Sequence, residues 1–269
     1  MHNCSCSALS KCLLAAVAVC AGGLGALPCP AGQKVISRTF FPFSVAGAVS
    51  AEKLAELGYS AIQPMYQGID MDKTPPYPQD LKQRIAALKG GKVDFFWLTV
   101  QGRKIADDDQ VVPLIRELAA VADQAGVKVA IYPHAGFYVA TARDALRVVK
   151  KVDRKNVGIT LTMCHELMAG NADQLPAIVK EVAPHLFVVT INGADRPAPG
   201  QRFGWDCLIQ PLGQGDFDVY GLLKCVKQTG FDGPIGLQCY GIKGDPVVHL
   251  SQSINTWKQY CQRFAVEEK

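Results

Sequence analysis

Two histidines in the middle of the chain each follow a short apolar segment. His134 follows VKVAIYP and His165 follows VGITLTMC, and residues 140–152 between them have the apolar spacing of a helix. A strand, a helix and a second strand form one βαβ unit, whose parallel strands end at the same edge of the sheet. Ligands of parallel α/β folds bind at that edge, and imidazole titrates near neutral pH. We therefore expect the two histidines to form an acid/base pair.

Further strands and helices precede and follow this unit. The sequence predicts eight strands separated by helices, at residues 34–44, 59–65, 93–101, 127–132, 157–163, 186–192, 208–212 and 234–240. This alternation, without a break in composition, predicts an α/β fold: a (β/α)8 TIM barrel forming a single domain over residues 34–269. A doubly wound open sheet is the alternative, although no G-x-G-x-x-G sequence follows the first strand.

Alternation within the strands predicts which side chains line the barrel, because successive side chains point to opposite faces of a sheet. In the fourth predicted strand the aliphatic residues share one face, whereas Ala130, Tyr132 and His134 share the other. In the sixth, Phe187 is expected on the same face as Val189. We expect the aliphatic faces to pack on the outer helices. The small and polar faces are expected to line the barrel, with their last polar residue at its mouth.

The composition describes one large domain without a nucleic-acid partner. The chain has 269 residues, of which 49% are hydrophobic, and a formal charge of +4 without any block of like charges. Of the ten cysteines, the five beyond the leader are scattered without metal-type C-x-x-C spacing. Their odd number gives no disulfide framework.

The first residues resemble a secretory leader. Lys11 is followed by an uncharged, apolar segment that ends in small residues, which is the pattern of a signal peptide. The apolar run is interrupted by glycines and is shorter than the roughly 20 residues that a spanning helix needs. We therefore predict a signal peptide at residues 1–29, with cleavage between Cys20 and Gln33. The mature protein is expected to be exported, periplasmic or extracellular, without a stable membrane span.

Two motifs carry a resemblance to a known family. Residues 212–218 read LGQGDFD and residues 230–238 read GFDGPIGLQ. They are similar to the segments after strand seven and into strand eight of the sugar phosphate isomerase/epimerase family of xylose isomerase-like TIM barrels. The resemblance covers roughly residues 35–264 and implies the same barrel with a carbohydrate substrate.

The resemblance also implies a divalent metal, held in most members by carboxylates and a histidine at four strand ends. In this chain those positions fall on Tyr132, Thr162, Asn192 and Gln238. Hard divalent ions prefer carboxylate oxygens, and none is present at these positions. The cofactor is therefore left unknown: a divalent metal is compatible with the family, but its usual ligands are absent. The weak candidates for a different metal site are His134 and His165 with Glu166 or Asp195.

The candidate site residues follow from the strand ends and from the resemblance together. His134 and His165 match histidines that contact substrate hydroxyls or assist proton transfer in the family, and Asp195 stands where the family has the aspartate of H-x-x-D. These three are the predicted catalytic residues. The predicted substrate-binding residues are Gln63, Trp97, Tyr132, Asn192, Gln214 and Gln238.

The predicted function is that of a sugar isomerase or epimerase, acting on a sugar or keto-sugar by proton abstraction next to a carbonyl. One alternative is a non-catalytic, sugar-binding barrel that has lost the metal. A second is a lyase or hydratase acting on 3-keto-glycosides, which shares the same proton abstraction. An abasic-site endonuclease, also represented in the family, is disfavoured because its additional metal ligands are absent. No phosphate clamp is visible, so we expect a small-molecule carbohydrate without phosphate.

Overall fold

The computed structural model describes residues 35–45, 48–103, 105–196 and 204–267. The predicted signal peptide and its cleavage site lie outside these ranges. Among the helices within them, none combines the length and the apolar character needed to cross a membrane.

Seven parallel strands form one sheet in the described part of the chain. They are β1 (Phe40–Phe43), β2 (Tyr66–Asp70), β3 (Phe95–Gln101), β4 (Lys128–Ile131), β5 (Val157–Thr162), β6 (Leu186–Ile191) and β7 (Ile235–Gln238). Their order, β1-β7-β6-β5-β4-β3-β2, places the first and last strands side by side. Residues 59–65 hydrogen-bond to β1 at one end of this order and to β3 next to its other end. Ser60 N donates to Phe40 O of β1 and Trp97 N of β3 donates to Met65 O, both at 2.8 Å.

Helices follow most of the strands and cover the outside of the sheet. They are α1 (Ala51–Leu57), α2 (Leu81–Ala86), α3 (Val112–Gln124), α4 (Ala142–Val152), α5 (Met163–Met168), α6 (Leu175–Val182), α7 (Trp205–Leu208), α8 (Val219–Gln228) and α9 (Pro246–Glu267). Most buried aliphatic residues belong to one cluster, which includes the outward side chains of the strands and the apolar faces of the helices. This layered arrangement is the predicted TIM-barrel α/β architecture with a parallel sheet.

Two predicted strands differ from the structure, and proline explains a part of each difference. The segment at 59–65 is extended but joins the sheet ladder only from Tyr66 onwards; Pro64 within it has no N–H to donate. In the segment at 208–212, Leu208 belongs to α7 and only a single antiparallel bridge forms, between Gln210 and Gly193. Pro211 follows that bridge, and β6 pairs directly with β7 instead.

The predicted alternation holds in β4 and fails at one residue of β6. Val129 and Ile131 belong to the outer cluster, whereas Ala130 belongs to an inner cluster with Phe41, Phe95, Trp97, Tyr132 and Val188. Phe187, however, packs against the inner cluster rather than beside Val189. The pairing of β5 with β6 shifts register at this level. A Cβ on Gly158 would lie 2.5 Å from the Phe187 ring, so only glycine leaves room for it.

Candidate functional site

A cavity of about 560 Å³ opens at the carboxyl ends of the strands. This is the edge at which TIM barrels bind their ligands, and the volume lies within the usual range for small-molecule sites. Its described lining consists of Pro42, Phe43, Ser44, Val45, Gln63, Pro64, Tyr66, Trp97, Tyr132, His134, His165, Trp205, Ile209, Gln238 and Tyr240. No aspartate, glutamate, lysine or arginine is among these residues.

Local backbone structure brings the two histidines into this cavity. His134 follows β4 in a tight turn, in which Phe137 N donates to His134 O at 2.9 Å and His134 N donates to Val139 O at 3.0 Å. Gly136 in that turn has a φ of 84°, which glycine adopts without strain. His165 lies in the first turn of α5, which begins directly after β5. Neighbouring strand ends therefore present the two rings side by side, as the βαβ prediction requires.

The two imidazole rings are in contact with each other and with aromatic neighbours. Their centroids lie 4.3 Å apart. His134 stacks on Phe137 at 4.2 Å, and His165 meets the edges of Tyr132 and Trp205 at 5.7 and 5.2 Å. These contacts fix the orientation of both rings.

Ala135 gives the two histidines opposite tautomers. Its N–H donates to His165 Nδ1 at 3.2 Å, so the ring proton of a neutral His165 is on Nε2. Its carbonyl oxygen lies 2.9 Å from His134 Nδ1. Because a carbonyl oxygen can only accept, the proton of a neutral His134 is on Nδ1 and its Nε2 carries a lone pair. One histidine is thus a proton acceptor and the other a proton donor.

Burial keeps both rings neutral at physiological pH. Desolvation, with a smaller contribution from the charge of His134, lowers the pKa of His165 to about 3. Desolvation also lowers the pKa of His134, although a hydrogen bond with the backbone of Ala135 opposes it. The tautomers described for the neutral rings are therefore those present near pH 7.

A second part of the cavity lining, which we call the aromatic wall, consists of Phe43, Trp97 and Tyr132, of which Tyr132 also contacts His165. The centroid of Trp97 lies 4.6 Å from that of Phe43 and 5.4 Å from that of Tyr132. Trp97 Nε1 is buried and donates no hydrogen bond to any described residue. A buried donor of this kind costs stability while it is unpaired.

Gln238 and Tyr132 join the aromatic wall to the floor of the cavity. Gln238 Nε2 donates to Tyr132 Oη at 3.2 Å, and Gln238 Oε1 accepts from Tyr240 N at 2.9 Å. Burial raises the pKa of Tyr132 well above its usual value, so this hydroxyl is neutral. Gln63 also lines the cavity. The structure thus brings together six of the predicted site residues: Gln63, Trp97, Tyr132, His134, His165 and Gln238.

Three predicted site residues do not line this cavity. Asn192 is buried, and its Nδ2 donates to the carbonyls of Gly193 and Leu208, which fastens the loop after β6. Asp195 continues that loop, and its N donates to Cys207 O at 2.8 Å. Gln214 is exposed, with its Nε2 3.4 Å from Gln252 Oε1. None of the three is among the described residues that line the cavity.

Glu166, the weak metal candidate, faces away from the histidines as well. Its Oε1 accepts from Ala142 N at 2.6 Å, at the start of α4, and its Oε2 accepts from Asn171 Nδ2 at 2.7 Å. Burial raises the pKa of this carboxyl, an effect that the two hydrogen bonds oppose. Its role in the structure is to hold α4 against α5.

The side chains at the family's metal positions do not fit a hard divalent ion. Tyr132 presents a neutral hydroxyl, and Thr162 Oγ1 donates to Pro133 O at 3.2 Å. Asn192 Nδ2 donates to two backbone carbonyls, and its Oδ1 is buried without a hydrogen-bond partner among the described residues, but an amide oxygen carries no charge. Over the described ranges, no three His, Cys, Asp or Glu side chains are grouped so that they could hold a metal ion. The donor set in the cavity is two imidazoles, amides and hydroxyls, which lacks the charged oxygens such ions prefer.

Several lining residues were missed from the sequence. Tyr240 shares a strand face with Gln238, so the two-residue periodicity gave a signal for it. Tyr66 lies one residue beyond the predicted second strand and, by the same periodicity, on the face opposite Gln63, so it had no such signal. Trp205 lies in a loop rich in glycine, proline and arginine, where no periodicity exists to place it. Phe43 was predicted within the first strand without a role.

The fold and the cavity are those of a xylose isomerase-like TIM barrel, and comparison agrees. The family model described as xylose isomerase-like TIM barrel matches residues 96–260, so the chain belongs to that family. The predicted resemblance is thereby confirmed.

Individual relatives are distant. An uncharacterized protein of Methanocaldococcus jannaschii is 24% identical over 167 residues, which cover 61% of this chain and 53% of that protein. A xylose isomerase-like TIM barrel/4-hydroxyphenylpyruvate dioxygenase fusion protein is 18% identical with a TM-score of 0.63, covering 86% of this chain and 44% of that one. The chain thus spans about half the length of each. An L-ribulose 3-epimerase is 12% identical with a TM-score of 0.56, covering 86% of this chain and 96% of that one. At these identities the structural matches show the fold alone.

Proposed function

We propose that this protein is an enzyme that removes a proton next to the carbonyl group of a sugar or keto-sugar. The observation that carries the proposal is the contact between His134 and His165 in one cavity, with opposite tautomers set by Ala135. Membership of the family and the fold shared with a sugar epimerase support a carbohydrate as the substrate.

In the proposed step His134 is the base. Its unprotonated Nε2 takes the proton from the carbon beside the carbonyl, and the electron pair of that C–H bond forms a carbon–carbon double bond. The carbonyl π electrons move to the oxygen, which becomes an enediolate stabilised by the Nε2–H of His165. A neutral imidazole is suited to this role, because it donates to the developing oxyanion without first being charged.

The fate of the enediolate defines the reaction. Return of the proton to the neighbouring carbon gives an aldose–ketose isomerisation, and return to the same carbon from the other face gives an epimerisation. Loss of a leaving group from the next carbon gives an elimination, as expected for 3-keto-glycosides. All three begin with the same abstraction, so a single experiment tests them together.

Solvent exchange tests the proposal. The protein is incubated in D2O with a panel of free and 3-keto sugars, and loss of the C–H signal is followed by NMR. We expect His134→Gln and His165→Gln each to slow exchange by roughly 10²- to 10⁴-fold, the usual contribution of a positioned acid or base. His185→Gln, which removes a partly exposed imidazole far from the cavity lining, is the matched control.

The outcomes separate the alternatives. Exchange that survives in both cavity variants would mean that the histidines are not the acid and base. Saturable binding of a sugar without exchange in the unaltered protein would favour the non-catalytic barrel, a reading to which the absence of carboxylates in the described lining also points. Metal analysis of the same preparation shows whether an ion accompanies any exchange observed.

A further inference from the structure

Two tyrosines at the mouth of the cavity are unusually exposed for large apolar side chains. Tyr66 is 49% exposed and Tyr240 is 63% exposed. In the described part of the chain the other exposed large apolar residues are Val248 and Val266, both in α9. The exposed aromatic surface is therefore concentrated at the entrance of the cavity. We call Tyr66 and Tyr240 the tyrosine rim.

Both rim residues are held in place from within the site. The ring of Tyr66 meets the edge of Tyr132 at 5.4 Å, so it extends the aromatic wall outwards. The backbone N of Tyr240 donates to Gln238 Oε1, which ties the position of this residue to the cavity floor. Exposed aromatic side chains at the mouth of a cavity favour contact with a flat, apolar group of a ligand.

The charges of the site restrict the ligand further. The described lining holds no formally charged side chain, and its two imidazoles are neutral at physiological pH. A phosphate or carboxylate entering the cavity would lose water without gaining a counter-ion, which is costly. The ligand that suits this lining is uncharged.

The depth of the cavity separates two regions. The histidines, Trp97 and Gln238 surround the inner part, where Trp97 and Tyr132 are each 1% exposed. The two rim side chains are far more exposed than these, although burial raises the pKa of the Tyr66 hydroxyl to about 12. A cavity of about 560 Å³ lies in the middle of the range that encloses drug-sized molecules, so there is room for a group beyond a sugar ring.

We propose that the tyrosine rim is a binding subsite for an aromatic aglycone, so that the substrate is an uncharged glycoside with a planar, apolar group attached to its sugar. This inference rests on the proposed function, since it places the sugar beside the histidines. The aglycone stacks between Tyr66 and Tyr240 while the sugar carbonyl faces His134 and His165.

Matched pairs of glycosides test the subsite. Methyl and phenyl β-D-glycosides of glucose, galactose and xylose, with their 3-keto forms, are titrated calorimetrically. We expect the phenyl compound of a pair to bind more tightly than the methyl compound. Tyr66→Ala and Tyr240→Ala should each reduce this preference by roughly 2- to 10-fold, the usual contribution of an aromatic contact. Tyr66→Phe and Tyr240→Phe should retain it, as should Val248→Ala, which truncates an exposed apolar residue elsewhere.

Failure of the rim subsite and failure of the proposed proton abstraction give different results. Equal binding of methyl and phenyl glycosides, or a preference that survives both alanine substitutions, overturns the rim subsite even when proton exchange is observed. A rim-dependent preference without any exchange supports the subsite and overturns the proposed chemistry. Absence of binding by every glycoside in the panel overturns the rim subsite, whereas proton exchange in the free sugars decides the proposed chemistry separately. Tighter binding of glucose 6-phosphate than of methyl glucoside overturns the uncharged ligand class.

Discussion

Replacing His165 by glutamine tests the electrostatic basis of the histidine pair. In the unfolded chain this imidazole takes up a proton near its ordinary pKa of 6.5, whereas in the folded protein its pKa is about 3. Between those values the unfolded state binds the additional proton. The free energy of unfolding therefore falls by about 1.4 kcal/mol for each pH unit of acidification in this window. The contribution of His165 is fully present above pH 6.5 and decreases as the pH falls.

The expected magnitude can be measured in a moderate pH interval. Lowering the pH from 7.5 to 5.0 should remove about 2 kcal/mol of stability through His165. Glutamine fills a similar volume and can accept from Ala135 N, but it does not titrate. In urea unfolding followed by tryptophan fluorescence, the unaltered protein should lose about 2 kcal/mol more than His165→Gln over this interval. His185→Gln measures what removal of a partly exposed imidazole does by itself.

An equal loss of stability in the unaltered protein and in His165→Gln would refute the reasoning. It would mean that the folded protein protonates His165 as readily as the unfolded chain does. The Nε2–H tautomer would then be lost at the pH of the experiment, because a protonated ring cannot accept at Nδ1 from Ala135 N. The assignment of His165 as a neutral hydrogen-bond donor would then be wrong.

Two further substitutions test contacts that position the site. Glu166→Ala should lower the free energy of unfolding by about 1–3 kcal/mol, because the buried Ala142 N–H loses its acceptor. Glu166→Gln keeps an amide oxygen as acceptor and should therefore lower it less. Equal losses in the two variants would contradict the role of this contact. Gly215→Ala should cost about 1–3 kcal/mol more than Gly126→Ala in the same thermal or urea assay. Both glycines have positive φ, but only at Gly215 would a Cβ lie 2.0 Å from Ala194 O.

The alternation of strands and helices predicted the α/β barrel, and the strand periodicity predicted several residues that line the cavity. In β4 the alternation of Ile131 with Tyr132 separates the outer layer from the cavity, and that rule placed His134 correctly at the mouth. The LGQGDFD motif carried the family assignment, and the structure supplies a physical reason for one of its glycines. Gly215 approaches the Ala194 carbonyl so closely that any side chain would collide.

The remaining differences arise where tertiary contacts override the local pattern. A register shift beside Gly158 turns Phe187 inward, and no single-strand periodicity contains that information. Asn192 directly follows β6 and is polar, as predicted, but its amide nitrogen donates to the carbonyls of Gly193 and Leu208 instead of lining the cavity. Glu166 adjoins His165 in the chain and still faces another helix, because a turn of α5 points successive side chains in different directions. Trp205 lines the cavity from the start of the short helix α7, in a segment whose sequence has no regular spacing.

The 4.3 Å between the centroids of His134 and His165 has a stereochemical consequence. A base and an acid acting on opposite faces of one carbon each need to approach it to about 3–3.5 Å, which separates them by about 6–7 Å. Because the His134 and His165 rings are in contact, no substrate carbon fits between them. Both rings therefore contact the substrate on the same face. For the proposed step we therefore expect suprafacial chemistry, either transfer between adjacent carbons or elimination, rather than inversion by two opposed bases. In the exchange experiment, deuterium should enter from the face that lost the proton.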